Sequence, residues 1–485
     1  MAIFAEKLKS YIEKSGQTIY MVAQSSGVNR TLIHRMTTGA RIPSKKETVA
    51  LIAKSLLLSP ADTNDLLEAY EMSKRGESAY RQLQLVKQLL INCARPSLSN
   101  LGVTPPTRNF CSLNDFDIQI ESSPKLISQR SQINQIIRLL LDQELQKPDG
   151  HVCLISQPDY TYLYDTLAAM TTIAPTAKIQ NIICFDRSNE NNECYNLYCL
   201  EKLVPTLLAN PSFEALCYYD HVNTLFNEWS LLPYMLLTSN YALCFSDDTN
   251  QAMLYNDKNV IRFMRQHFNK KLSCTNPICY SIKTSFETYM NCLLVTEAKE
   301  PPEAYTLLYQ PCLMPFINLD IIVKYVNTEI CTPEMIQHIA AHIANIHHPD
   351  AKIHTAFTQE GLELFMETGR ITEVPSQFYQ PLDMDSRKEV LHNMMQAIEA
   401  GSLIPRIIDT TRFDMPMSLS VDALSPNQII IYLNHDADNA FSLIINEPSL
   451  MHAFYEFLVY IQTSRLVYSK EETLTILKNI EAKYL

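Results

Sequence analysis

Glycine occurs at only nine of the 485 positions, and three of these fall within the first 40 residues. Gly16, Gly27 and Gly39 each separate short segments with helical periodicity. A glycine takes up the left-handed backbone that ends a helix more readily than any other residue. The start of the chain is therefore predicted to fold into several short helices joined by tight turns.

The apolar and capping residues of this region place the first helices. Phe4, Leu8 and Ile12 recur at the spacing of an amphipathic helix. Thr18 is positioned to cap a second helix, and Asn29 to cap a third that runs to about residue 37. Short side chains with a hydrogen-bonding oxygen are preferred at the N-cap because they satisfy backbone amides that have no partner inside the helix.

Two further start signals complete an all-α, five-helix N-terminal domain, assigned to residues 1–75. Ser44-Lys45-Lys46-Glu47 has the pattern of a capping box that opens a fourth helix. Ser59 followed by Pro60 predicts the start of a fifth, because proline is favoured at the first helical position. A polar helix at about 77–92 and a proline-containing linker are assigned to residues 76–125.

Charge is distributed unevenly along the chain. Residues 1–60 hold nine Lys and Arg against three Glu, which gives 9 − 3 = +6. The whole chain carries −12, so the remainder must carry −12 − 6 = −18. A basic head on an acidic body predicts that only the head meets a polyanion and that the body repels DNA.

The third helix divides into two faces when its residues are placed at 100° steps from Arg30. The apolar face, between about 200° and 300°, consists of Leu32, Ile33 and Met36. The polar face, between about 0° and 140°, consists of Arg30, Thr31, His34 and Arg35. A helix that packs through one face and presents long cationic side chains on the other has the shape needed to enter a major groove.

The run Thr18–Gln24, the segment Gly27–Met36, and Gly39 and Pro43 together resemble the Cro/repressor-type (Xre) helix-turn-helix family, over about 70 of the 485 residues. The resemblance implies a five-helix fold that binds double-stranded operator DNA, usually as a homodimer. It places base-reading roles at Arg30, Thr31 and Arg35, and His34 on the same face either joins them or faces a phosphate. It places contacts to the DNA backbone at Gln17, Thr18, Arg41 and Lys45, and we add Asn29 to this group. One departure is that Met36-Thr37-Thr38 stands where the family commonly has an acidic residue.

Beyond the linker, short apolar segments alternate with helical ones, which favours βαβ units and a largely parallel sheet. We assign an α/β lobe to residues 126–330 and a second to residues 331–485, which could bind an effector or form a dimer interface. Residues 238–255 and 425–445 share a strand, polar turn, strand pattern. This pattern suggests two similar lobes, although chance resemblance is an open alternative.

Few residues of the body have a spacing that indicates a catalytic or metal-binding site. His338 and His342 lie one helical turn apart with His347 and His348 beyond, but a polar helix face explains them better than a zinc site. The pairs Cys194/Cys199 and Cys274/Cys279 have the wrong gap for a zinc knuckle and fit buried thiols. Asp247-Asp248 and Asp436/Asp438 fit turn capping. We therefore expect neither a metal nor another cofactor.

The two-lobed pattern also resembles the phospholipase D-like fold, whose catalytic pattern is His-x-Lys-x4-Asp. Here His221 is followed by Asn223 in place of the lysine and by Glu228 in place of the aspartate. The resemblance therefore implies an inactive fold. We find no glycine-rich phosphate loop, and we expect no enzymatic activity.

The sequence favours a cytoplasmic, sequence-specific transcription regulator without a membrane span. Three alternatives remain: a peptide-responsive regulator with an all-helical repeat body, an enzyme tethered to DNA, and a scaffold whose head binds protein.

Overall fold

The structure is a computed structural model that describes residues 3–94, 124–171, 177–187, 194–210, 212–222, 231–283, 303–337, 340, 352–374, 376–434 and 440–484. The chain forms two compact units, Met1–Leu85 and Val86–Leu485. In the described residues, no helix is both long and apolar enough to cross a membrane.

The first unit is built from helices. They are α1 (Ile3–Lys14), α2 (Ile19–Ser26), α3 (Arg30–Thr37), α4 (Lys46–Ser55), α5 (Pro60–Arg75) and the beginning of α6 (Glu77–Ala94). Its core receives large apolar side chains from all of α1 to α5, among them Phe4, Leu8, Val22, Ile33, Met36, Val49, Ile52, Leu66 and Tyr70. Because every one of the five helices buries a face in this single core, their relative positions are fixed by packing.

Local capping explains where these helices begin. The Thr18 hydroxyl accepts a hydrogen bond from the Met21 amide at 3.3 Å, and the Ser59 hydroxyl accepts one from the Asp62 amide at 3.1 Å. Asn29 caps α3 in the same way. The predicted caps at Thr18 and Asn29 are therefore confirmed, and so is the predicted helix start at Ser59-Pro60, where Ser59 also serves as the cap.

The capping box predicted at Ser44–Glu47 is wrong. The fourth helix begins at Lys46, so Lys45 occupies the N-cap and makes no side-chain capping bond. Ser44 lies one residue too early for its side chain to cap the helix amides. Its backbone carbonyl accepts a hydrogen bond from Lys74 Nζ at 3.1 Å.

The second unit contains two mixed sheets flanked by helices, which confirms an α/β body. Its helices are α7 (Arg130–Leu145), α8 (Thr161–Thr171), α9 (Tyr195–Ala209), α10 (Lys258–Leu272), α11 (Leu319–Tyr325), α12 (Gln359–Thr368), α13 (Met384–Ala400), α14 (Pro448–Ile461) and α15 (Lys470–Tyr484).

The strands of the first sheet are β1 (Lys125–Ile127), β2 (His151–Ile155), β3 (Lys178–Asp186), β4 (Phe213–Asp220), β5 (Tyr234–Leu237), β6 (Ala242–Phe245), β7 (Ala252–Tyr255) and β8 (Asn276–Pro277). Their spatial order is β1-β7-β6-β5-β2-β3-β4-β8. Strands β2, β3 and β4 are parallel and joined through α8 and α9, as βαβ units require.

The remaining pairings in this sheet are antiparallel. The prediction of a largely parallel sheet is therefore wrong. The reason is that β5, β6 and β7 follow one another through short turns, and strands joined by short turns must run in opposite directions.

The strands of the second sheet are β9 (Cys279–Lys283), β10 (Glu303–Leu308), β11 (Lys352–Phe357), β12 (Leu403–Ile407), β13 (Leu419–Ser425), β14 (Gln428–Asn434) and β15 (Ala440–Ile445). Their order is β12-β11-β10-β13-β14-β15-β9. Three parallel strands, β10 to β12, again lie beside an antiparallel meander.

The two sheets share one topology. In each, the first parallel strand pairs with the first meander strand (β2 with β5, β10 with β13), and the last meander strand pairs with the strand that opens the sheet (β7 with β1, β15 with β9). A helix follows each meander, α10 after β7 and α14 after β15. The second unit therefore repeats one strand arrangement twice, and the chain passes from the first sheet to the second at Ile278.

Candidate nucleic-acid interface

The third helix is held in place by its N-terminal cap and its apolar face. The Asn29 side-chain oxygen accepts hydrogen bonds from the amides of Thr31 at 2.8 Å and Leu32 at 3.4 Å. Gly27 ends α2 with φ of 71°, in the left-handed region. Ile33 and Met36 are completely buried. Because both its start and its inner face are fixed, the opposite face of α3 is presented in a defined direction.

That opposite face carries the four predicted base-reading residues. They are Arg30, Thr31, His34 and Arg35, all exposed to solvent. In the described part of the chain, neither Arg30 nor Arg35 forms an ion pair, and α3 itself has no acidic residue. Two guanidinium groups are thus displayed about a turn and a half apart on one rigid helix, and their donors are available to an external acceptor.

The residues predicted to contact the DNA backbone are in varied environments. Thr18 and Asn29 are exposed, and each uses a side-chain oxygen to cap its own helix. Gln17 is half-buried and donates from Nε2 to the Ser55 carbonyl at 3.2 Å. Arg41 and Lys45 are exposed and, among the described residues, have no acidic partner.

The cations of α1 are engaged within the first unit. Lys7 forms an ion pair with Asp65, whose other oxygen accepts a hydrogen bond from the Tyr11 hydroxyl at 2.9 Å. The hydrogen bond from Lys7 holds the pKa of Asp65 below its usual range. Lys9 lies 3.9 Å from Glu13. Lys14, the third cation of α1, lies over the Tyr11 ring at 5.6 Å and has no acidic partner among the described residues. Cations without an acidic partner are therefore found at α3 and in the segment before α4, and α1 contributes one of them at its end.

The structure places the other sequence candidates as follows. Asp248 accepts hydrogen bonds from Ser246 and from the Asn250 amide in the turn between β6 and β7, so it caps a turn as predicted. Cys199 and Cys279 are buried free thiols, whereas Cys274 is free and exposed. Over the described ranges, no three Asp, Glu, His or Cys side chains are grouped to hold a metal ion.

Several predicted positions fall outside the described residues. They are His338, His342, His347, His348, Asn223, Glu228, Asp436 and Asp438.

Sequence reasoning missed two carboxyl groups whose charges interact, Asp422 on the second sheet and Glu373 in the segment that follows α12. Asp422 on β13 is directly opposite Thr306 on β10, and Thr306 donates to the Thr355 hydroxyl at 2.9 Å on the next strand. Burial, and then the charge of Glu373, raise the pKa of Asp422 to about 8. Burial raises the pKa of Glu373 to about 7. These groups therefore bind and release protons near neutral pH.

A second missed feature is α10. This helix carries five cationic side chains and no acidic one, and four of the five are exposed on a unit that is otherwise acidic. The signal was present in the sequence as a 15-residue segment free of Asp and Glu, but the net charge of the whole body concealed it.

Comparison with known proteins gives little further guidance. No protein-family model matches the chain, and no curated protein sequence does. Among solved structures, phosphatidylserine synthase of Haemophilus influenzae Rd KW20 is similar at 11% identity and a TM-score of 0.24, over 74% of this chain and 92% of that one.

Polyphosphate kinase of Porphyromonas gingivalis is similar at 10% identity and a TM-score of 0.24, over 80% of this chain and 61% of that one. The archaeal chromatin protein TrmBL2 is similar at 8% identity and a TM-score of 0.22, over 56% of this chain and all of that one. With TM-scores this far below 0.5, these similarities carry no conclusion about the fold or the chemistry of this chain.

Proposed function

We propose that the protein is a sequence-specific DNA-binding transcription regulator of the helix-turn-helix type, in which α2 and α3 form the motif and α3 lies in the major groove. The observation that carries the proposal is the outer face of α3. It combines Arg30, Thr31, His34 and Arg35, all exposed, on a helix whose opposite face is locked into the core.

The chemistry of this face suits the edges of base pairs. An arginine donates two parallel hydrogen bonds to the O6 and N7 atoms of guanine, and each such pair contributes about 1–3 kcal/mol of discrimination against another base. Arg30 and Arg35 have no internal acidic partner in the described residues that this binding would have to break. Thr31 offers a hydroxyl donor and acceptor, and a methyl group for thymine.

Binding to the sugar-phosphate backbone would position α3. Arg41 and Lys45 are exposed cations in the segment that leads from α3 to α4. Phosphate contacts of this kind fix the register of a protein on the duplex and add affinity that weakens as salt rises. Gln17 would contribute through the second N–H of its Nε2 group, because the first already donates to the Ser55 carbonyl.

A single domain of this size buries little surface on DNA, so useful affinity is expected to require two copies on paired half-sites. We propose a cytoplasmic homodimer in which the α/β body dimerises, binds an effector, or does both. An effector that favours one spacing of the two heads would change operator occupancy, since the two binding events would then be energetically coupled.

The all-helical repeat body considered above is ruled out by the two sheets of the second unit. Two competitors remain, an enzyme tethered to DNA and a scaffold whose first unit binds protein rather than DNA. Only the scaffold denies that the first unit binds DNA. It differs from the proposed function in what the α3 arginines do, because only DNA binding requires an anionic, base-bearing partner for both guanidinium groups.

The test is selection of bound duplexes from a random pool by the full chain and by the variant Arg30→Ala/Arg35→Ala. We expect an enriched motif of two half-sites, lost in the variant. The matched control, Lys9→Ala/Arg75→Ala, removes two cations of the same unit outside α3 and should keep the motif. No enrichment by a folded wild-type chain would refute the proposal and favour the protein-binding scaffold.

A further inference from the structure

The helix α10 is a concentrated positive surface on an acidic unit. Its five cations are Lys258, Arg262, Arg265, Lys270 and Lys271. The whole helix contains no Asp or Glu, while the chain beyond residue 60 has a net charge of −18. Such a local excess is unexpected from composition alone, so it requires either a structural or a functional reason.

The repeated topology of the second unit shows that the fold does not demand this charge. Helix α14 occupies the same position in the second sheet, directly after the meander, and it contains no Lys or Arg. Seven of its side chains are buried apolar residues, compared with two in α10. The same architectural position is thus filled once by an apolar helix and once by a cationic one.

Only one of the five cations has an evident structural role. The Arg265 guanidinium donates to the Thr238 carbonyl at 2.9 Å and lies 3.3 Å from His151 Nδ1 and 3.4 Å from Cys153 Sγ. These contacts anchor α10 to the strands below it. In the described residues, Lys258, Lys270 and Lys271 have no acidic partner, and Arg262 bonds only the neutral Asn259 side chain.

A groove of about 340 Å³ runs along this helix. Its lining includes Ser239, Lys258, Arg262, Arg265, Gln266 and Asn269, none of which is an acid. All of these except Ser239, whose hydroxyl donates to Glu144, have N–H donors that can face a ligand. The nearby carboxylate of Glu144 is buried and bonded to Lys147 and Ser239, so it is already neutralised. The groove therefore presents donors and positive charge to an anionic ligand.

The exposed surface fits a phosphodiester backbone better than a membrane. Ile261 and Phe268 are buried, so the apolar face of α10 is used inside the protein and cannot enter a lipid layer. The outer face has one prominent aromatic residue, Phe263, which is 67% exposed and stacks on His267 with 6.4 Å between ring centroids. A single exposed ring does not form the broad apolar face that inserts into a lipid layer.

The spacing of the cations also suits an extended polyanion. From Lys258 to Lys270 is twelve residues, which is about 18 Å along the axis of a helix. Lys258, Arg262 and Lys270 all lie on the solvent side of that length. A compact anion would use one end of this row, whereas a strand of phosphates can engage all of it.

We propose that the solvent face of α10 binds the phosphate backbone of double-stranded DNA and forms a second DNA contact in addition to that proposed for α3. The contact is independent of base sequence, because its donors are lysines and an arginine spread along a helix rather than a set fitted to base edges. It goes beyond the function proposed above and does not depend on base reading by α3.

The test measures how the affinity of the full chain for a 30-base-pair duplex without a selected motif depends on salt. Each phosphate that a protein neutralises contributes about −0.9 to the slope of log K against log salt. The variant Lys258→Gln/Arg262→Gln/Lys270→Gln should therefore reduce the slope by about 2 to 3. We expect binding at least tenfold weaker at 100 mM salt, with an unchanged circular-dichroism spectrum.

The matched control is Lys352→Gln/Lys470→Gln/Lys478→Gln, which removes the same charge from exposed positions elsewhere in the second unit. It should leave the slope within about 0.5 of the wild-type value. An equal loss in both triple variants would overturn the proposal, because it would show a general effect of net charge. An unchanged slope in the α10 variant would overturn it directly.

Two further arms separate this proposal from its competitors. The salt dependence is measured again in the Arg30→Ala/Arg35→Ala background. If the proposal holds, the α10 substitutions reduce the slope in that background as well. This result does not depend on motif selection by α3, so it can be obtained even if the function proposed for α3 fails. Vesicles containing phosphatidylserine test the membrane alternative. Loss of vesicle binding in the α10 variant, with DNA binding intact, would refute the DNA contact.

Discussion

The turn after α4 contains a leucine in a backbone conformation that favours glycine. Leu57 has φ of 52°, in the left-handed region. The Leu58 amide donates to the Ala53 carbonyl and the Leu57 amide to the Lys54 carbonyl, both at 3.1 Å. These two bonds define a Schellman motif, in which the residue at the position of Leu57 is usually glycine. We predict that Leu57→Gly stabilises the first unit.

The expected size follows from three contributions. A non-glycine residue in the left-handed region costs about 1–2 kcal/mol, which the substitution removes. Glycine has greater freedom in the unfolded chain, which offsets about 0.5–1 kcal/mol of this gain. The Leu57 side chain is 87% exposed, so its removal forfeits little burial. The free energy of unfolding of this unit should therefore rise by about 0.5–1 kcal/mol.

Hydrogen exchange of the α4 and α5 amides in the full chain measures this change. When reclosing is faster than exchange, the rate reports the opening equilibrium, so these amides should exchange about two to five times more slowly. Leu57→Ala retains the strained backbone and should show no gain. Leu51→Gly makes the same chemical change at an exposed position inside α4 and should accelerate exchange, since glycine costs about 1 kcal/mol there.

Slower exchange in Leu57→Ala to the same extent as in Leu57→Gly would refute the reasoning, because it would assign the gain to the lost side chain. Exchange in Leu57→Gly as fast as in the wild type would show that the backbone of this turn is not strained.

Two other predictions concern the cap of α3 and the interacting carboxyl groups of Asp422 and Glu373. Asn29→Ala should destabilise the first unit by about 1 kcal/mol, whereas Asn29→Asp should preserve stability and weaken DNA binding, as thermal melts and titrations with the selected duplex would show. The pKa of Asp422 is raised to about 8 by burial and by Glu373. The folded chain then holds a proton that the unfolded chain releases above about pH 4, so stability should fall as pH rises from about 4 to 8. Asp422→Asn should make that dependence shallower between pH 5 and pH 8 and leave the part that is due to Glu373. An equally steep dependence in the variant would count against the assignment.

The parts of the structure that could be predicted from sequence are those fixed by local interactions. Thr18, Asn29 and Ser59 cap helices through amides two or three residues away, so their roles are contained in a few consecutive letters. The faces of α3 follow from the helical period, and Ile33 and Met36 are buried as expected. The error at Ser44 is also local. The helix starts one residue later than the capping-box pattern requires, and this shift is enough to remove the predicted capping bond.

The parts that could not be predicted depend on which distant segments become neighbours. The alternation of strands and helices was correctly taken as βαβ units, but it did not show that each group of three parallel strands is extended by an antiparallel meander. Asp422 and Glu373 are about fifty residues apart in the chain, and only the strand register and the packing of the intervening segment bring their charges together. The boundary between lobes near residue 330 stays a prediction.

A net charge summed over a whole unit does not describe the electrostatic surroundings of one helix within it. The sum of −18 over the body led to the expectation that the body repels DNA, and that sum treats charges tens of ångströms apart as one. At physiological ionic strength the screening length is about 8 Å, which is shorter than the roughly 22 Å length of a 15-residue helix such as α10. Asp257 and Glu144 lie near the groove of α10, but Asp257 caps the helix and Glu144 is bonded to Lys147 and Ser239. A phosphate there therefore experiences Lys258, Arg262 and their neighbours more strongly than the acids in the rest of the body. Net charge can exclude a polyanion only where acidic residues lie within a screening length of the surface in question, and along the outer face of α10 none belongs to the helix itself.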